Sequence, residues 1–357
     1  MRSVFRLSSV AAVCCMLAIA PVAAKAAQDT SPQAGDSPKA KHKENHKPIG
    51  AAAVRHPVLW QDPGNIAGKD LLHGAGGEEG QPKPPFTFEA EVKHDSNPKF
   101  DVRDADGKKW RVKLGAEARP ETVASRLLWA VGYFTDEDYV LPEARVEKLR
   151  THRGSRFIRD GNELTDARFE RKPGEQKRIA SWEWKRNPFN GTREFNGLRV
   201  MMAVINSWDL KDENNAVYSD EKNGRQIFLV SDVGASFGTN GLRVKNENGK
   251  GNVDKFEESK FILRRDGKGV DFATPSSATR VEEESAGLLT PLYVRRQHYK
   301  WIGHDIPVTD AKWIGSLLGQ LTHQQLVDAF RAGDFPPDAV ETYVKVVEER
   351  IAELQQL

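Results

Sequence analysis

The chain has 357 residues, and its 53 Lys and Arg residues nearly balance its 51 Asp and Glu residues. This near-neutral balance argues against general nucleic-acid binding, so no nucleic acid is expected as a partner. Both cysteines, Cys14 and Cys15, lie in the amino-terminal apolar run, so the rest of the chain has no thiol for a disulfide or a metal site.

The amino-terminal segment predicts export. Residues 1–6 are basic, residues 7–24 are almost wholly apolar or small, and an A-x-A cleavage pattern ends at Ala26. We expect residues 1–26 to be a secretory signal peptide, which places the mature protein in the periplasm or outside the cell. A retained membrane anchor is the competing interpretation. No later segment is long and apolar enough to span a bilayer.

Two low-complexity stretches follow before the first clear strand. Residues 27–55 are rich in Ala, Pro, Lys, Ser and Gly with scarcely a large apolar side chain, which predicts a disordered linker. The glycine-rich run HGAGGEEG at residues 73–80 has no strand before it and no GK[ST] after it, unlike a phosphate-binding loop. We expect this second stretch to be a flexible surface loop.

Apolar and polar residues alternate in three stretches, at residues 86–92, 100–102 and 110–114. A period of two predicts half-buried strands, and Asp106-Gly107 supplies a hairpin turn between the second and third. Lys113 then lies on the polar face of the third strand. The three strands are expected to form an antiparallel sheet.

A helix is predicted directly after these strands. Pro120 suits the first helical turn, and an apolar stripe that begins at Val123 recurs at helical spacing until Gly132. Glu121 therefore lies in the first turn of this helix. We predict that its carboxylate and the Lys113 ammonium group lie within salt-bridge range. Glu117, between strand and helix, is an alternative partner for the lysine.

Residues 198–238 contain the most informative pattern. Leu198, Met201, Met202 and Ile205 recur at helical spacing and predict a buried helix that delivers Asp209 to the start of a loop. Asn214 follows five residues later. The apolar run IFLV at residues 227–230 predicts a central strand, and this strand ends in Ser231, Asp232 and Gly234. The types and spacing of Asp209, Asn214 and Asp232 fit metal-dependent phosphoryl transfer.

The carboxyl-terminal part is predicted to be helical. Apolar stripes define one helix after Thr309, a second that begins with a Thr322 and Gln325 capping box, and a third after Pro337. Between the two informative regions, Trp182 and Trp184 favour core packing over an aromatic ligand platform.

Four motifs resemble parts of one protein family. The sequences WRVKLG, PETVASRLLWAVGY, INSWDLKDENN and VSDVGASFG are similar to the lysine strand, glutamate helix, catalytic loop and metal aspartate of atypical kinases. The most similar groups are the HipA-type and phosphatidylinositol 3/4-kinase-like folds, with secretory-pathway kinases as relatives in setting. The resemblance covers about residues 86–240. It departs from ordinary protein kinases in lacking a glycine-rich strand turn and in replacing HRD with Ser207-Trp208-Asp209.

The resemblance implies an α+β, two-lobed protein-kinase-like fold. A small antiparallel-sheet N-lobe would occupy residues 56–175, and a mainly helical C-lobe residues 176–357. A strand in residues 139–172 would supply the hinge against the base, but the pattern does not indicate which one.

The resemblance also implies a site and its ligands. ATP or another nucleoside triphosphate would bind with Mg²⁺ or Mn²⁺, and the acceptor would be a hydroxyl of a protein or small molecule. Lys113 and Glu121 would act on the phosphates, Asn214 and Asp232 would be metal ligands, and Asp209 would be the catalytic base.

Two other functions stay open. A nucleotide-binding pseudokinase or scaffold module would keep the fold without turnover. A metal-dependent hydrolase could use Asp209, Asp212, Asp232 and nearby histidines, although the chain lacks an H-x-x-x-H or H-x-H cluster.

Overall fold

The computed structural model describes residues 47–93, 97–171, 177–239, 249–274 and 298–357. The predicted signal peptide and most of the predicted linker lie outside these described residues. In the described ranges the fold is α+β, as predicted, with three sheets and six helices. None of the helices in these ranges combines the length and apolar character that crossing a membrane requires.

The strands of the described residues are, in chain order, β1 (Pro57–Val58), β2 (Phe86–Val92), β3 (Lys99–Arg103), β4 (Lys109–Leu114), β5 (Glu137–Val140), β6 (Ala144–Glu147), β7 (Ile158–Arg159), β8 (Glu163–Leu164), β9 (Ala167–Arg171), β10 (Lys177–Ala180), β11 (Asn215–Asp220), β12 (Arg225–Val230), β13 (Ile262–Arg265), β14 (Gly269–Phe272) and β15 (Ile306–Pro307). The helices are α1 (Ala118–Ala130), α2 (Arg193–Val204), α3 (Val253–Glu257), α4 (Val308–Leu318), α5 (His323–Ala332) and α6 (Pro337–Gln355).

The largest sheet has eight strands in the order β5-β9-β4-β3-β2-β6-β8-β7. The three predicted strands form its centre, and β4 is antiparallel to β3 on one side and to β9 on the other. The alternation of apolar and polar residues along the strands gives this sheet two different faces. Phe100, Val102, Trp110 and Val112 are buried in one apolar cluster, whereas the charged residues between them point to the other face.

A four-stranded sheet, in the order β1-β12-β11-β10, carries the β11 and β12 hairpin. Its strand β12 is buried at residues 227–230, as the apolar run predicted. Strand β1 pairs in parallel with β12, so Pro57 and Val58 extend this sheet rather than the eight-stranded one. The third sheet contains β13, β14 and β15.

The larger apolar core surrounds the helices. It includes one side of α1, most of α2 and the inner faces of α4, α5 and α6, together with the buried Trp182 and Trp184. Helix α5 has the predicted capping box, in which Thr322 and Gln325 bond each other's backbone. The predicted core packing of both tryptophans and the three carboxyl-terminal helices is therefore confirmed.

The glycine-rich run at residues 73–80 differs from the prediction of a flexible surface loop. It forms two short 3₁₀ turns that pack against α1 and β5. Gly74 has φ +70°, and a Cβ there would lie 2.3 Å from a guanidinium nitrogen of Arg126. A Cβ on Gly76 would lie 2.1 Å from the Tyr139 hydroxyl. The glycines therefore permit close packing, and the prediction of a loose loop was wrong.

Candidate active site

The site begins where β4 meets α1. Lys113 is the next-to-last residue of β4, and α1 starts at Ala118 after a turn in which Gly115 has φ +123°. This left-handed conformation favours glycine and allows an abrupt change of direction. The first turn of the helix then carries Glu121 back towards the strand.

Lys113 contacts three carboxylates. Its Nζ lies 2.9 Å from Glu121 Oε2, 2.7 Å from Glu117 Oε2 and 3.2 Å from Asp232 Oδ1. The predicted contact between Lys113 and Glu121 is therefore confirmed. The alternative partner, Glu117, binds the same ammonium group, so the lysine uses both glutamates.

The lysine is almost completely buried, with 3% of its side chain exposed. Burial favours the neutral amine, but the charges of Glu121, Asp232 and Glu117 outweigh this effect and hold the pKa of Lys113 well above its usual range. The ammonium form is therefore the one present at neutral pH. A fixed positive charge is the property that contact with a phosphate requires.

The pKa values of Glu121 and Asp232, two carboxylates beside Lys113, shift in opposite directions. Burial raises the pKa of Glu121 to about 7, although Arg168 and Lys113 oppose this change. Burial also acts to raise the pKa of Asp232, but Lys113 and then Lys99 outweigh it and lower that pKa to about 2. Asp232 therefore stays ionised at neutral pH, as a cation ligand must.

Asp232 is held in place by the hairpin of β11 and β12. It lies two residues beyond the end of β12, and the preceding Ser231 donates its backbone N–H to the Asn214 carbonyl at 3.0 Å. Asn214 directly precedes β11. The hairpin register, in which Asn215 is the partner of Val230, thus places the two predicted metal ligands at the same end of the sheet.

The loop that carries Asp209 is fixed by two sets of contacts. Asn214 donates its side-chain N–H to the Asp209 carbonyl at 2.6 Å, and Lys211 Nζ lies 2.7 Å from Asp209 Oδ1. Before the loop, the Trp208 backbone N–H bonds the Ala235 carbonyl at 3.1 Å. The bond between Trp208 and Ala235 ties the Asp209 loop to the segment that follows Asp232.

The predicted site residues therefore form two groups. Lys113, Glu121 and Asp232 contact one another through the lysine, while Asp209 and Asn214 contact each other. The bond between Ser231 and Asn214 connects the two groups. Asp212, which the hydrolase alternative requires, instead accepts the Trp184 backbone N–H at 2.9 Å.

Three carboxylates lie close together beside Lys113. Carboxylate oxygens of Glu117, Glu121 and Asp232 lie within 4.8 Å of one another, and no histidine joins this group in the described ranges. Asn214 uses its amide nitrogen for the Asp209 carbonyl, so its amide oxygen is the atom it can offer. Mg²⁺ and Mn²⁺ prefer such hard oxygen ligands. Asp232 and Asn214 offer oxygen atoms of this kind, and Asp232, like the two glutamates, pairs with the buried lysine.

Two residues of this region gave no recognisable signal in the sequence. Arg168 of β9 and Asp138 of β5 are both buried, and Arg168 bonds Asp138 and lies 3.2 Å from Glu121 Oε2. Arg168 falls in residues 139–172, whose hinge strand could not be assigned from pattern, and Asp138 directly precedes that stretch.

Neither a family model nor a curated protein matches the sequence. The chain is similar to the solved structure of the Helicobacter pylori proinflammatory kinase CtkA, with a TM-score of 0.34 and 9% sequence identity. That similarity covers 76% of this chain and 99% of the other.

Proposed function

We propose that this chain is an exported phosphotransferase with a two-lobed, kinase-like fold. It would transfer a phosphoryl group from ATP or another nucleoside triphosphate to a hydroxyl acceptor. The observation that carries the proposal is the position of the Lys113 ammonium group, which contacts Glu121 of α1 and Asp232 beyond β12 at the same time. Protein kinases place a phosphate-binding lysine, its glutamate partner and a metal-binding aspartate together in their active sites, which supports the proposal.

In this proposal the buried lysine binds the phosphates. Its positive charge is fixed by Glu121 and Glu117, and burial excludes water that would screen it. A phosphate oxygen that approaches Asp232 would meet this charge without reorganisation of the lysine. Asp232 and Asn214 would hold the divalent cation, which supplies neutralising charge between the phosphates.

Asp209 would act on the acceptor. Its side chain is 30% exposed and lies beside Lys211, so a hydroxyl can approach it from solvent. The Asn214 bond to its backbone carbonyl fixes the loop from which it extends. The carboxylate would orient the acceptor hydroxyl and accept its proton as the acceptor oxygen bonds to the γ-phosphorus; the bond from that phosphorus to the bridging oxygen breaks, and the nucleoside diphosphate leaves.

The test is a thermal-shift series on the chain without residues 1–26. ATP, GTP and ADP are each added with Mg²⁺ or Mn²⁺, and the rise in melting temperature reports binding. Asp232→Ala should abolish the metal-dependent rise, because the polyphosphate loses its neutralising ion. Asp220→Ala is the matched control, since Asp220 lies at the opposite end of β11 and pairs with Arg225.

The outcomes separate the possible functions. A pseudokinase would show the Asp232→Ala loss of binding without any phosphoryl transfer by the wild-type protein. A hydrolase would bind metal without regard to nucleotide. No shift with any nucleotide and metal pair, or an equal loss in Asp220→Ala, would contradict the proposed site.

A further inference from the structure

Arg168 was not assigned a role in the phosphoryl transfer proposed above, yet it lies among the buried charges beside Glu121. It belongs to β9 and is the direct cross-strand partner of Lys113 in β4. Its side chain is 2% exposed. A fully buried guanidinium group is costly unless several acceptors bind it, so its partners show what it does.

Arg168 connects the sheet to two turns of α1. Its Nη2 lies 3.2 Å from Glu121 Oε2 and 2.9 Å from Glu170 Oε2, and its Nη1 bonds Asp138. Asp138 in turn accepts a hydrogen bond from Ser125 Oγ at 2.8 Å. Glu121 and Ser125 are four residues apart, so they share one face of the helix. Arg168 therefore reaches both residues, one directly and one through Asp138.

The same oxygen of Glu121 serves both cations. Oε2 accepts from Lys113 Nζ at 2.9 Å and lies 3.2 Å from Arg168, whereas Oε1 is buried without a hydrogen-bond partner among the described residues. The two cations together thus fix the orientation of this carboxylate. Among the charges that oppose the rise in the pKa of Glu121, that of Arg168 is the largest.

We infer that Arg168 is a positioning residue that holds Glu121 by the oxygen that Lys113 also uses. Arg168 partly neutralises the Glu121 carboxylate. Lys113 therefore also keeps its ion pair with Asp232 and stays directed towards the phosphates. The inference rests on the proposed function. Without Arg168, Glu121 keeps Lys113 as its nearest cation, and the lysine is drawn away from Asp232.

The test is a double-mutant cycle on nucleotide affinity, with ATP and Mg²⁺ as the probe. Arg168→Met should weaken binding by roughly 10- to 100-fold, the usual effect of removing a residue that orients a ligand-binding group. In the Glu121→Gln background, Arg168→Met should weaken ATP binding by no more than about 2-fold, because the Glu121 carboxylate through which Arg168 acts is absent. Arg168→Lys should restore part of the affinity, since it keeps the charge but loses the planar fork.

Arg126→Met is the matched control. Arg126 is also buried and donates to the backbone carbonyl of Asp138 at 2.6 Å, but within the described residues it makes no hydrogen bond or ion pair with Glu121. Its removal should leave affinity within about 2-fold of wild type, although it lowers stability. Equal losses in Arg126→Met and Arg168→Met, or additive losses in the cycle, would overturn the inference.

A second measurement does not depend on nucleotide. The melting temperatures of the same four proteins should show a loss in the double variant that is smaller than the sum of the single losses. Additive losses would overturn the coupling even if the proposed function failed for lack of nucleotide binding. If Arg168→Met does not fold, Arg168→Lys and Arg126→Lys take its place, and only the former should weaken ATP binding.

Discussion

The ion pairs around Lys113 and those of the Asp209 loop differ most in their contact with water. Around Lys113, the side chains of Lys113, Glu121 and Arg168 are at most 3% exposed and each has at least two ionic partners, whereas Asp232 is 36% exposed. In the loop, Asp209 and Lys211 are 30% and 31% exposed and pair with each other. Buried charges need every partner, whereas half-exposed charges can replace a lost partner with water.

This difference separates structural from chemical roles. A substitution in the buried group is expected to change stability and ligand binding together, because the partners left behind cannot be solvated. A substitution in the Asp209 loop is expected to change chemistry with little effect on folding. Four experiments test this contrast, from the largest expected effect to the smallest.

Lys113→Met should cause the largest loss of stability. It removes a cation that contacts Glu117, Glu121 and Asp232 together. Breaking a buried ion pair from one side costs about 3–5 kcal/mol, which urea denaturation can measure. Lys109→Met on the same face of β4 is the control. That side chain is 55% exposed, so its loss should stay within about 1 kcal/mol. Similar losses of unfolding free energy in both variants would contradict the difference between buried and exposed charges.

Asp209→Ala should separate chemistry from folding. If Asp209 accepts the proton of the acceptor hydroxyl, turnover should fall by roughly 10²- to 10⁴-fold. Nucleotide affinity in the thermal-shift assay should stay close to wild type, since the Asp209 side chain forms no hydrogen bond or ion pair with Lys113 or Asp232 in the described part of the chain. The unfolding free energy should change by less than about 1 kcal/mol. A loss of nucleotide affinity as large as that of Asp232→Ala would place Asp209 among the metal ligands instead.

Glu121→Gln should change how stability depends on pH. The pKa of Glu121 is about 7 in the folded protein, compared with about 4.3 in an unfolded chain. A raised acid pKa means that the folded state binds the proton more tightly. Its contribution to stability is therefore greatest below about pH 4.3 and is lost as pH rises through about 7.

The measurement is the unfolding free energy of wild type and Glu121→Gln at several pH values from 4.5 to 8. The difference between the two proteins should favour wild type increasingly as pH falls, because glutamine does not titrate. A difference that stays constant, or one that favours wild type more at pH 8 than at pH 5, would show that the ion pairs of Glu121 influence its pKa more than burial does.

Local pattern predicted the parts of the site that come from one stretch of chain. Strand β4, helix α1 and the turn between them occupy residues 109–130, so alternation and helical spacing sufficed to bring Lys113 and Glu121 together. The same holds for Asn214 and Asp232, since one hairpin joins them. Their roles in metal binding and phosphate contact stay predictions.

Contacts between distant strands could not be predicted in this way. Arg168 meets Glu121 only because β9 pairs with β4, and 52 residues of chain separate Leu114 from its partner Ala167. The glycine-rich run at residues 73–80 was misread for a similar reason. Its glycines are required by Arg126 and Tyr139, which approach it from α1 and β5. A pattern of small residues does not reveal which surface will cover it.

Lys211→Met should cause the smallest loss of stability of the four, because it removes a partly solvent-exposed ion pair. Lys211 pairs with Asp209 at 2.7 Å, and both side chains are about one-third exposed. An ion pair of this kind contributes about 0.2–1 kcal/mol in water of low ionic strength. The Debye length falls from about 10 Å at 0.1 M salt to about 3 Å at 1 M, so the contribution should diminish with added salt. Urea denaturation at both salt concentrations measures it. A salt-independent loss as large as that of Lys113→Met would mean that the Asp209 loop is as dependent on its ion pairs as the buried cluster.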